Sequence, residues 1–95
     1  MRIEVIRRGG LAGVTVRGAV DTADLAPSVA SEAEAALQSL PFGRPSAPPR
    51  HPDSFQYEII APSAGSRQSA VVDEAEVPEG LRPAVEAALA RGELG

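Results

Sequence analysis

The chain has 95 residues, enough for one domain with a modest core, and we expect residues 1–95 to form that single domain. It contains no cysteine, which excludes disulfides and thiolate metal sites, and its nine basic residues are all arginine. A net charge of −4 and only three aromatic residues argue against nucleic-acid binding.

The charges are unevenly distributed. Residues 1–50 carry six arginines and five acidic residues, whereas residues 51–95 carry three arginines and eight acidic residues. Residues 1–18 hold four arginines and one glutamate, so the start of the chain should be the basic end of an acidic molecule. This charge would steer the protein toward an acidic protein partner, or it would simply be solvated.

The N-terminus does not resemble a targeting segment. Charges interrupt every early apolar run, and no stretch approaches the length needed to span a membrane. We therefore expect no signal peptide, no membrane partner and a cytoplasmic location, with export by a non-standard route as the alternative.

Residues 1–17 predict a β-hairpin. Apolar side chains alternate with polar ones on both sides of a glycine-rich run: Met1, Ile3 and Val5 before it, Val14 and Val16 after it. The run consists of Arg7, Arg8, Gly9, Gly10, Leu11, Ala12 and Gly13. Its glycines permit a tight turn or a close backbone approach, and Leu11 stands where a purely structural turn usually carries Asn, Asp or Ser. Gly18 is expected to end the second strand.

Residues 25–40 predict an amphipathic helix. Five apolar side chains after Leu25 share an arc of about 120° at about 100° per residue: Val29, Ala33, Ala36, Leu37 and Leu40. Pro27 fits only the first turn, and Pro41 and Gly43 end the helix. Residues 41–52 contain five prolines and are interpreted as an exposed connector, with a polyproline ligand as the alternative. The single histidine, His51, has no second metal ligand beside it.

The second half predicts another hairpin and another helix. Phe55, Tyr57 and Ile59 share one face of a strand, the turn falls at residues 62–66, and Ala70 and Val72 share one face of the partner strand. Residues 73–76 form an acidic link that lacks the pattern of a calcium loop and should be solvated. A last helix is indicated by Leu81, Val85, Ala88 and Leu89, with Pro83 in its first turn. The order ββαββα favours an α+β fold, a four-stranded antiparallel sheet with two helices packed on one face.

An inventory of reactive groups argues against an enzyme. There is no cysteine nucleophile, a serine–histidine pair would depend on His51, and the glycine-rich run lacks the Lys-Ser/Thr end of a phosphate-binding loop. The core should be too light to leave a pocket of several hundred Å³. We therefore expect a binding protein with no cofactor, no metal and no small-molecule ligand.

Several of these segments resemble the emfourin family. They are the run from Arg8 to Gly13 with the strand and helix that follow, the run from Pro52 to Tyr57, and Val77-Pro78 with Leu81. Emfourins are small proteinaceous inhibitors of protealysin-like, thermolysin-type zinc metalloproteases, typically encoded beside the protease. The resemblance implies a bacterial metalloprotease inhibitor, with Leu11 where other members carry Phe.

The resemblance also suggests a mechanism. Thermolysin-type enzymes cleave before large apolar residues, so a glycine-flanked Leu11 would imitate a substrate in the cleft. Arg7, Arg8 and residues 9–13 are then the candidate protease-binding residues, with the two arginines contacting an acidic rim. The alternative is that the glycines only turn the hairpin and Leu11 packs on the core. A non-inhibitory or folding-helper partner of a protease and a domain that homodimerises through its sheet edges also stay open.

Overall fold

The computed structural model describes residues 1–9, 14–43, 54–63 and 65–94. Within these ranges the strands are β1 (Arg2–Gly9), β2 (Val16–Asp21), β3 (Phe55–Ser63), β4 (Ser66–Asp73) and β5 (Glu93–Leu94). They form an antiparallel sheet in the order β4-β3-β1-β2-β5. The predicted α+β fold with four antiparallel strands and two helices is confirmed, and β5 adds a short edge strand that the sequence did not indicate.

The central strand β1 owes its position to its alternating side chains. Ile3 and Val5 are completely buried on one face of the sheet. Val5 lies opposite Gly18 of β2 on one side and opposite Ile59 of β3 on the other. Since side chains on a strand alternate between faces, every second residue of these strands contributes to the same core.

The helices are α1 (Pro27–Leu37) and α2 (Arg82–Ala90). Each begins with a proline in its first turn, where the missing N–H would have no helical partner. A 3₁₀ turn precedes each, at residues 22–24 and 79–81, and a third covers residues 74–76. The helix residues that share one core with Ile3 and Val5 are Ala33 and Leu37 of α1 and Ala84, Val85 and Ala88 of α2.

The prediction that Gly18 ends the second strand was wrong, because Gly18 lies inside β2. A Cβ atom at this position would lie 2.0 Å from the backbone oxygen of Ala88 in α2. The glycine is therefore required by the close approach of the helix to the strand.

The strands of the second hairpin extend further into the predicted turn than expected. β3 continues to Ser63 and β4 begins at Ser66, so the predicted turn at residues 62–66 lies mostly within the strands. Gly65 supports the short connection with a φ of +84°. Among the described helices, neither is long and apolar enough to cross a membrane.

Candidate functional site

Three of the seven predicted protease-binding residues lie at the end of the central strand. Arg7 pairs with Val16 of β2 and with Tyr57 of β3, and Gly9 pairs with Phe55 of β3. The other four, Gly10, Leu11, Ala12 and Gly13, lie outside the described residues, as do the connector from residue 44 onward and His51. The strand leading into the predicted loop is thus hydrogen-bonded to the sheet up to its last residue.

The two neighbouring arginines lie on opposite faces of the sheet. Arg7 faces the helices, and its guanidinium carbon lies 4.5 Å from the centroid of the Phe55 ring, within the range of a cation–π contact. Arg8 faces the other way, and its Nη1 lies 2.9 Å from Oε1 of Glu58. Half of the Arg8 side chain is exposed, so this ion pair adds little stability and leaves Arg8 accessible to a partner.

Gly9 is fixed by both its conformation and its surroundings. Its φ is +94°, and a Cβ atom would lie 2.9 Å from the backbone oxygen of Ser54. The Ser54 hydroxyl donates to Oδ1 of Asp73 at 3.0 Å, and Asp73 is only 6 % exposed. The expectation that residues 73–76 form a solvated link was therefore wrong for Asp73. This residue is the last of β4, pairs with Gln56 of β3 and is buried.

An exposed apolar side chain follows the predicted loop. Val14 is 42 % exposed, and with Met1 it makes up the large hydrophobic residues that are exposed in the described part of the chain. It was predicted as a strand residue, but β2 begins two residues later, at Val16. The end of the sheet that carries Arg8, Gly9 and Val14 is called the loop end. It offers a partner an apolar side chain as well as a cation.

A groove of about 420 Å³ lies between α2 and the sheet at this same end. Its walls include the apolar side chains of Val16, Val77, Val85 and Leu89, together with Tyr57. Arg7, Arg82 and Glu86 supply its charges. The expectation that the light core leaves no pocket of this size was wrong. The fully apolar part of the sheet face stops at Val5 and Ile59, and the next residues on that face are Arg7 and Tyr57.

The acidity of the Asp21 carboxylate is altered by its neighbours. The pKa of Asp21 is lowered, first by the hydrogen bond that its side chain accepts from the backbone N–H of Ala23 and then by the N-terminal ammonium, 3.3 Å away. Asp21 is exposed and lies opposite Arg2 at the beginning of β1, far along the strand from Arg8. Its altered pKa belongs to the anchoring of the N-terminus and not to the loop end.

Among the described residues, no group of three or more His, Cys, Asp or Glu side chains could hold a metal ion. The fold and the loop end define a small α+β domain whose central strand leads into a glycine-rich segment flanked by a cation and an apolar side chain. The chain belongs to the emfourin family, whose family model matches residues 5–89. Membership points to a role related to protease inhibition, with a protease as partner in general, and fits a protein that is not an enzyme. No curated protein and no solved structure matches the chain.

Proposed function

We propose that this protein inhibits a protealysin- or thermolysin-like zinc metalloprotease by occupying its cleft with residues 10–13. The observation that supports this most strongly is the pairing of β1 with a neighbour on each side, through Arg7 with Val16 and Gly9 with Phe55. Because β1 ends at Gly9 and β2 begins at Val16, the backbone on both sides of residues 10–13 is already ordered before binding. The segment also stays close to the enzyme if one of its peptide bonds is cut.

Leu11 is the side chain proposed to enter the primed-side pocket of the protease, because enzymes of this class prefer a large apolar residue there. Gly9 and Gly10 would allow the backbone to approach the strands that line the cleft. Of the two arginines, Arg8 is the better rim contact, since it is half exposed while Arg7 packs on Phe55. Val14 would add apolar contact beside the loop.

The test is to titrate a purified thermolysin-like protease with this protein and follow hydrolysis of a small peptide. Leu11→Asp should weaken inhibition at least about tenfold, which corresponds to about 1.4 kcal/mol. Ala35→Asp is the matched control, because it adds the same charge at an exposed position of α1. The end of α1 lies beside Met1 and Pro62, at the opposite end of the sheet.

Equal inhibition by Leu11→Asp and by the parent protein, with unchanged thermal unfolding, would rule out the loop as the inhibitory element. A complex that forms while the small peptide is still hydrolysed would instead identify a non-inhibitory partner of the protease. A mass that doubles with concentration in the absence of protease would identify a homodimer.

A further inference from the structure

Arg7 occupies an unusual position for a charged residue. The two residues before it on the same face of β1, Ile3 and Val5, are completely buried in the core. The Nε atom of Arg7 is shielded from solvent and has no hydrogen-bond partner among the described residues. None of the ion pairs among the described residues involves Arg7, whose guanidinium carbon lies 4.5 Å from the centroid of the Phe55 ring. A partly buried cation without a counter-ion is unfavourable, so this site would gain from an added anion.

The groove beside Arg7 has the size and the walls of a small-ligand site. Its volume of about 420 Å³ falls within the range of such sites, and its apolar walls come from the sheet, from α2 and from Val77. Arg82 is the second cation in the lining, and its Nη2 also donates to the backbone oxygen of Glu74 at 3.2 Å. Glu86 is the one acidic residue among the described lining, and it disfavours a ligand head that carries two negative charges.

We propose that this groove binds an aliphatic carboxylate, with the hydrocarbon between α2 and the sheet and the carboxylate at Arg7 and Arg82. Charge-assisted hydrogen bonds from guanidinium groups favour this headgroup, and each methylene removed from water contributes further affinity. The carboxylate belongs either to a free medium-chain fatty acid or to the C-terminus of an apolar peptide. Binding here does not depend on the proposed inhibitory function and is measured without any protease.

Tyr57 provides the measurement. It is the only tyrosine of a chain without tryptophan, and it lines the groove, so its fluorescence reports directly on occupancy. The probes are octanoate, octanol, N-acetyl-Leu-Leu and the amide of that dipeptide. A saturable change with octanoate, and binding of octanol weaker by at least about tenfold, is expected. Tighter binding of octanoate than of N-acetyl-Leu-Leu would assign the site to free fatty acids. Tighter binding of N-acetyl-Leu-Leu than of octanoate and of the dipeptide amide would assign it to peptide C-termini.

Equal affinities for octanoate and octanol, or no saturable change with any of the four probes, would overturn the proposal. Arg7→Gln should weaken octanoate binding at least about tenfold, and Arg8→Gln should change it by less than about twofold. These two variants are matched, because Arg8 is the next residue of β1 and points to the opposite face. Equal losses in both would show a general charge effect and reject the site.

Arg82→Gln keeps the test decisive if Arg7→Gln fails to fold, since Arg82 is exposed at the beginning of α2. It should also weaken octanoate binding several-fold. Amide chemical-shift changes on adding octanoate to the parent protein should cluster at Val16, Tyr57 and Leu89. A cluster elsewhere on the protein would contradict the assignment.

Discussion

Replacing Gly18 by alanine should destabilise the protein strongly, although this change is ordinarily tolerated in a strand. The new Cβ would lie 2.0 Å from the backbone oxygen of Ala88, whereas ordinary van der Waals contact begins at 3.4 Å, a deficit of 1.4 Å. It would also lie 2.8 Å from the Ala88 carbonyl carbon and 3.1 Å from Gly92 Cα. These are backbone atoms, so rotating a side chain cannot relieve the clash, and α2 must move away from β2.

The expected loss is about 3 kcal/mol, at the upper end of the cost of overpacking, because displacing α2 also disturbs its buried residues Val85 and Ala88. For a domain of this size that loss lowers the unfolding midpoint by roughly 12–24 °C. Scanning calorimetry or circular dichroism measures the shift.

Gly65→Ala is the matched control, since Gly65 has a φ of +84° and no atom within 4 Å of an added Cβ. It should cost roughly 1–2 kcal/mol from backbone strain alone. A glycine in a strand with neither constraint would gain about 0.4–1 kcal/mol on replacement by alanine. An unchanged or raised midpoint for Gly18→Ala would therefore refute the close packing of α2 on β2.

Two further predictions concern the stability of the fold. Leu81→Ala should lower the free energy of unfolding by about 2–5 kcal/mol, because Leu81 is completely buried, and a urea midpoint close to that of the parent would contradict its place in the core. Asp21→Asn should destabilise the protein at neutral pH, because the pKa of Asp21 is lowered in the folded state and its carboxylate therefore stabilises the fold above the ordinary pKa of 3.8. That difference between the two proteins should disappear as the pH falls through the folded-state pKa, and a difference that persists in strong acid would exclude ionisation of Asp21 as its source.

Sequence periodicity was enough to predict the four longer strands and the two α-helices of the fold. Alternation identified Ile3 and Val5 on β1 and Ala70 and Val72 on β4 as core residues, and all four are buried. These signals are local, since they depend only on the spacing of apolar residues within one element. The helix prediction over residues 25–40 succeeded for the same reason, although α1 itself ends at Leu37.

What periodicity missed depends on contacts between distant parts of the chain. The local sequence predicts that Gly18 ends the strand. Only its contact with Ala88, 70 residues later, explains why a glycine lies within β2. The short strand β5 exists because it pairs with Val16 and Arg17, and its two residues are too few to give an alternating pattern. Neither feature could have been found without knowing where α2 packs.

Only part of the candidate site could be predicted from the sequence. Residue types alone indicated a basic, glycine-rich hairpin end, and the structure confirms that β1 and β2 are antiparallel neighbours there. The pairing register of β1 with β3 shows on which face of the sheet each arginine lies. It brings Tyr57 opposite Arg7 and Phe55 opposite Gly9. The groove draws residues from three strands, from α2 and from Val77, so no single stretch of sequence carries its signal.

The contact between α2 and β2 links the stability of the fold to the shape of the groove. Ala88 touches the sheet where Gly18 lacks a side chain, and its neighbours Val85 and Leu89 on α2 form one wall of the groove. Val16, two residues before Gly18 on the same face of β2, belongs to the opposite wall. Val85 and Leu89 lie within one helical turn of Ala88, the residue that contacts Gly18, so this contact sets the distance between the two walls. Any side chain at position 18 that moves α2 away from β2 must therefore also change the width of the groove. A single glycine thus determines both how closely the second helix packs on the sheet and how wide the groove beside it is.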